Sequence, residues 1–241
     1  MTSEIIRDCA VYTTKAVTIV EIMGRDAGWL TASSALGRAA GLSGPDFVYL
    51  PERAFNMESF FSDIEEAFSR HPNVVVTVSE GVRFADGRYV GEGAQSGSAD
   101  AFGHKYLAGA GKVLERAVKE KFGCKVRSVE LNLPQRCAGH LLSKTDISEA
   151  VSIGREAVRC ASDGLSCEMM VFERKPGEKY KVETGHKKVS EIANKIRKVP
   201  GEFINEKGND VTDTCLQYMI PLIEGECDIK YHKGIPMHFV F

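Results

Sequence analysis

The sequence has no excess of positive charge, no C-x-x-C pair and no long apolar run, and each absence removes a class of function. Lysine and arginine number 31 against 33 aspartate and glutamate, a net charge of -2. No basic face or charge run supplies the phosphate-neutralising attraction that nucleic acid requires. The seven cysteines (Cys9, Cys124, Cys137, Cys160, Cys167, Cys215 and Cys227) are odd in number and scattered, which argues against a disulfide framework or a clustered zinc site and predicts a reduced, cytoplasmic protein. No apolar stretch approaches the length that crosses a bilayer, and the opening MTSEIIRDCAVYTTK is too polar and acidic for a signal or transit peptide. No membrane is expected as a partner. None of the six histidines stands in a metal-binding pair or an H-E-x-x-H pattern, and the G-x-S-x-G elbow is missing; Ser96 and Ser98 in GAQSGSAD read as a flexible loop.

What is present is enough for a sizeable core: 241 residues, 43% hydrophobic and 27% charged, as in a mixed α/β domain. Val17 to Met23 is a short β-branched run bounded by Gly24, which fits a strand buried on both faces of a parallel sheet. Trp29 to Ala40 has helical apolar spacing closed by Gly41. The alternation continues with PDFVYLPE as a strand, Glu58 to Ser69 as a helix, NVVVTVSEG as a strand, Lys105 to Lys121 as a helix and KVRSVELNL as a strand. This predicts an α/β fold with a doubly wound, mostly parallel sheet and right-handed crossovers. Ligands bind such sheets at the carboxyl ends of the strands, so the loops GRDAG, SEGVRFADG and LPQRCAGH frame the expected site. After Asp146 the pattern becomes more hairpin-like: a long helix DISEAVSIGREAVRCASDG, strands CEMMVFERK and KYKVET, and a helix VSEIANKIRKV, with a boundary expected between Arg136 and Asp146.

Gly24 and Gly28 allow close backbone approach and Arg25 adds a charged fork, an outline that suits an anion and equally suits an ordinary strand-to-helix turn with a solvated arginine. Glu80, at the end of VVVTVSEG, can accept hydrogen bonds from sugar hydroxyls or cap a turn. Arg127 shares a strand face with Val129 and Leu131, so it either snorkels to an edge or reaches across an interface. Gln135 and Arg136 follow in the exit loop, where the arginine suits either a phosphate clamp or a surface ion pair.

The segments VTIVEIMGRDAGWLTASSALGR, PDFVYLPE, VVVTVSEG, RSVELNLPQR, SKTDISEAVSIGREAV and YMIPLIEGE, in this order, resemble the phosphofructokinase family, and its pyrophosphate-dependent branch more closely than the ATP-dependent enzymes. The resemblance covers essentially the whole chain. It implies that Met23, Gly24 and Arg25 line a fructose 6-phosphate site, that Glu80 holds sugar hydroxyls, that Gln135 and Arg136 close the site with Arg136 on the 6-phosphate, and that Arg127 serves an adjacent subunit of a homo-oligomer. Two positions depart from the family pattern: Leu133 replaces a histidine or tyrosine, and Ala16, beside Lys15, replaces an arginine. The family's glycine-rich donor loop and its T-I-D-N-D-like segment, whose aspartates act as base and hold Mg²⁺, have no counterpart in this sequence. The resemblance therefore implies a C-terminal half with no catalytic residue and no metal ligand of its own. It further implies that residues 1–136 form the sugar-phosphate domain, that 137–205 pack back on a donor-binding half, and that 206–241 are a C-terminal return. Pyrophosphate or ATP, with Mg²⁺, would bind through that other half. A non-catalytic binding or assembly module is the competing expectation.

Overall fold

The computed structural model describes residues 1–92, 109–177 and 179–237, and divides the chain into two compact units. Met1–Cys137 with Arg197–Tyr218 form the first, and Ala138–Ile196 with Met219–Phe241 the second.

The first unit contains α1 (Thr2–Cys9), β1 (Ala16–Ile22), α2 (Trp29–Ser33), β2 (Phe47–Tyr49), α3 (Met57–Phe68), β3 (Asn73–Ser79), α4 (Ala110–Phe122), β4 (Lys125–Glu130) and α5 (Pro134–Cys137). The four strands form one parallel sheet in the order β2, β3, β1, β4. Val17 is level with Val74 on one side and Val126 on the other, so the β-branched run of β1 occupies an inner position where both faces need cover. One face buries Val17, Ile19, Val74, Val76 and Val78 against Phe60 and Ile64 of α3 and Leu114 and Val118 of α4. The other buries Val20, Ile22 and Val75 with Cys9 of α1. Helices on both faces make the sheet doubly wound, as the alternation of patterns predicts.

The expected helix from Trp29 to Ala40 is broken. The hydroxyl of Ser34 donates to the Thr31 carbonyl (2.6 Å) and lies 2.8 Å from the Thr77 hydroxyl, which ends α2. The chain resumes as a tight helical turn, Leu36–Ala40, ending at Gly41. Of the helix expected over Lys105–Lys121, residues 105–108 lie outside the described residues, as do Ser96 and Ser98; α4 is described from Ala110.

In the second unit α6 (Lys144–Ser162) is capped by Ser143, whose hydroxyl accepts from the Asp146 amide at 3.1 Å. β5 (Glu168–Arg174) and β6 (Val182–Lys188) form an antiparallel hairpin, and α7 (Val189–Ile192) follows. Here the strand expected to end at Thr184 runs on to Lys188, because Glu168 pairs with Lys188 across the hairpin and its carboxylate meets His186 at 3.3 Å. The helix expected over VSEIANKIRKV is a single turn, and Asn194, with φ +60, has already left helical geometry.

Arg197–Tyr218 belong with the first unit and the residues from Met219 with the second. Side chains decide this. Trp29 meets Phe203 edge to face and Tyr218 at a tilt, with ring centroids 6.2 and 5.7 Å apart, and Arg38 pairs with Asp210 at 2.8 Å. The segment closes with α8 (Asp213–Met219). No helix among the described residues is long and apolar enough to cross a membrane.

Candidate functional site

The carboxyl ends of β1, β3 and β4 converge on one loop, residues 23–28. Gly24 has φ +150, a conformation that side chains resist, and its carbonyl accepts both the Ser79 hydroxyl and the Gly81 amide, the latter at 3.2 Å. Its own amide donates to the Glu80 carboxylate at 3.2 Å. Gly81 has no space for a side chain, since a Cβ there would stand 1.7 Å from the Arg25 carbonyl oxygen. The Met23 amide donates to Gln135 Oε1 at 2.9 Å, which fastens the exit of β4 to the exit of β1. The amides of Met23 and Gly24 thus tie this loop to the side chains of Gln135 and Glu80, with Arg25 next along the loop. Arg136, next to Gln135 on α5, is exposed.

The amides of Met23, Gly24 and Gly28 all have partners within the chain. The loop also carries the side chain of Arg25, and Arg136 follows Gln135 on α5. Burial pushes the Glu80 carboxyl above its usual 4.5, while the Gly24 amide and the Arg25 charge pull it back. Glu80 is partly buried.

Arg127 is not part of this cluster. It pairs across from Thr18 in the first half of β4, and its guanidinium lies on Tyr12, 2.9 Å from the phenol oxygen and 5.3 Å from the ring centre, with Lys125 on the same ring at 4.6 Å. The site ends of β1 and β4 lie several residues further along the sheet.

Four supporting residues escape a reading of loops by composition. Glu21, buried on β1, accepts the amides of Gly109 (3.1 Å) and Gly111 (2.7 Å) and so fixes the start of α4; burial raises its carboxyl. Asp26 is paired with Arg83, which also touches Tyr89 at 2.6 Å. Glu52, just beyond β2, accepts the Gly28 amide at 2.9 Å. Three of them, Asp26, Glu52 and Arg83, are charged residues within four positions of a strand's carboxyl end, whereas Glu21 lies inside β1 among apolar residues.

Among the described residues no group of three or more histidines, cysteines, aspartates or glutamates could hold a metal ion. The arrangement can orient a polyol and neutralise an anion.

Residues 2–161 match the family model described as phosphofructokinase. Relatives named pyrophosphate–fructose 6-phosphate 1-phosphotransferase include those of Methylococcus capsulatus, 37% identical over 93% of this chain and 53% of that protein, and Halomonas elongata, 35% identical over the same shares. A sulfofructose kinase from Alkalicoccus urumqiensis is 33% identical over 69% of this chain and 42% of its own length. Among solved structures, the pyrophosphate-dependent phosphofructokinase of Nitrosospira multiformis superimposes with a TM-score of 0.83 at 32% identity, covering 98% of this chain and 55% of that one. The chain spans about half the length of the curated relatives it matches. A match to the family model over most of its residues, on a sheet whose strand ends carry the loops described above, shows that this chain belongs to the phosphofructokinase family.

Proposed function

We propose that the chain is the fructose 6-phosphate-holding half of a 6-phosphofructokinase that transfers a phosphoryl group from pyrophosphate to the 1-hydroxyl of the sugar, a glycolytic step. The observation that carries this reading is the convergence of the Met23–Arg25 loop with Glu80 and Gln135 at the carboxyl ends of three adjacent strands. Arg136 and Arg25 take the 6-phosphate, Glu80 accepts from sugar hydroxyls, and the backbone of Met23 and Gly24 walls the sugar. Pyrophosphate is the donor favoured by relatives at 34 to 37% identity that bear that name.

In the complete enzyme the 1-hydroxyl oxygen would attack the phosphoryl group in line as the bond to the leaving phosphate breaks, and Mg²⁺, when bound, would supply charge neutralisation. The share assigned to this chain in the reaction is to position the sugar and balance its charge. We assign Arg127 to the site of a neighbouring copy in a homo-oligomer, in keeping with its distance along β4 from Gln135. Ala138–Ile196 are assigned to packing against the rest of the enzyme, a reading supported by the lack of any buried residue among those described there. Seven free cysteines favour a reducing, cytoplasmic setting.

Calorimetry on the isolated chain tests the site. Fructose 6-phosphate binds weakly, and Arg136→Ala weakens it roughly tenfold or more, the value of one charge-assisted contact; unchanged affinity removes Arg136 from the phosphate. Incubation with fructose 6-phosphate, Mg²⁺ and either pyrophosphate or ATP yields no turnover. Turnover would overturn the assignment of this chain to sugar positioning alone.

A further inference from the structure

The segment Met23 to Trp29 makes two separate sets of contacts. Its first half, Met23-Gly24-Arg25, faces Glu80 and Gln135. Its second half turns elsewhere: Oε1 of Glu52 accepts the Gly28 amide at 2.9 Å and the Val199 amide at 2.8 Å, so a single oxygen joins the loop to the return segment. The Trp29 indole donates to the Arg197 carbonyl at 2.8 Å, and its ring lies against Phe203 and Tyr218. Gly28 is what lets the carboxylate in, because a Cβ there would stand 2.9 Å from Glu52 Oε2 and 2.8 Å from Leu50. That second oxygen is buried with no hydrogen-bond partner, an arrangement that costs stability.

The place of attachment matters. The chain leaves the first unit between Cys137 and Ala138, re-enters it between Ile196 and Arg197, and leaves it again between Tyr218 and Met219. Arg197 also donates to the Tyr218 hydroxyl at 3.3 Å, which joins the last two of these passages under the Trp29 ring.

We propose that Glu52 and Trp29 are positioning residues that fasten the substrate loop to Arg197–Val199, so that order gained by the loop on binding a sugar phosphate is passed to the point where the chain re-enters the first unit. The coupling is carried by a named contact chain: Gln135 to Met23, the backbone of residues 23–28, Gly28 to Glu52, Glu52 to Val199. Its ligand-linked part rests on the sugar-phosphate reading above; the mechanical part does not.

Amide hydrogen exchange on the isolated chain separates the two. With fructose 6-phosphate at saturation, exchange slows in residues 23–29 and also at Arg197–Val199; in Glu52→Ala it slows only in 23–29. Protection confined to 23–29 in the unaltered chain, or persisting at Val199 in Glu52→Ala, overturns the coupling. If the sugar phosphate protects nothing, the proposed ligand fails, and a ligand-free arm decides the coupling. Gln135→Ala, which releases the Met23 amide, raises exchange at Val199 about fivefold in the unaltered background, as expected for one net hydrogen bond, and adds nothing in Glu52→Ala. Unchanged exchange at Val199 in Gln135→Ala overturns the proposal. Glu52→Gln keeps an acceptor for both amides and restores the coupling; its failure to do so, with the fold intact by circular dichroism, would mean that the charge and not the tether was at work.

Discussion

Burial raises the Glu80 carboxyl above 4.5, and the neighbouring Gly24 amide and Arg25 charge only partly offset this. A raised carboxyl binds its proton more tightly in the folded than in the unfolded chain, so its contribution to stability is present at low pH and is lost as pH rises through the folded value. Binding runs the other way, because a sugar hydroxyl donates to the ionised form. Affinity for fructose 6-phosphate is therefore highest above the Glu80 value and falls as pH descends through it toward 4.5. In Glu80→Gln that acidic fall disappears, leaving only the dependence on the ligand's own phosphate ionisation, near pH ~6. Calorimetric titrations of both proteins across that range check this, and parallel profiles would show that Glu80 does not touch the sugar. Glu80 was visible in the sequence as a carboxylate at a strand end. Its hold on the Gly24 amide was not, since that bond joins residues 56 apart.

The strands were the most legible elements, because β1 and β3 are inner strands and their residues are apolar and β-branched on both faces. α3 was equally plain: Phe60, Ile64 and Ala67 recur at helical spacing and are all fully buried. Its start is set by Asn56, whose side chain accepts the Ser59 amide at 2.9 Å. Asn56→Ala lowers stability by about 1 kcal/mol, and Asn56→Asp recovers most of it, measured as the midpoint of urea unfolding; an unchanged midpoint in the alanine variant would mean that the cap is dispensable. The early end of α2 was hidden for a different reason. Ser34 reads as an acceptable helix residue until Thr77, on another strand, is placed beside its hydroxyl.

For the molecule as a whole the two units differ in kind. The first has a continuous core, whereas no described residue of Ala138–Ile196 is buried, and Val151, Val158, Met169 and Phe172 are exposed. An amphipathic helix and hairpin without cover open locally at little cost. Limited trypsin digestion of the isolated chain thus cuts within residues 138–196 well before it cuts within 1–92, and addition of the remaining half of a close relative's enzyme slows the early cuts. Cleavage of both regions at one rate, at the rate of global unfolding, would show that the second unit is as stable as the first. The odd, scattered cysteines, all seven unpaired, leave no covalent staple to compensate.

The sequence by itself determined the alternation of strand and helix, the parallel sheet and the loops at its carboxyl ends, because these follow from local periodicity and from glycines at the strand exits. Only the tertiary structure decided which loop bonds to which. Gln135 meets Met23, and Glu80 meets Gly24. It also decided that Arg127 stands on Tyr12 instead of with Arg136, although both belong to β4 and its exit. A strand's rise of about 3.3 Å per residue separates such neighbours in sequence by more than the reach of one side chain, and no pattern in the residue types records which end of the sheet a partner occupies.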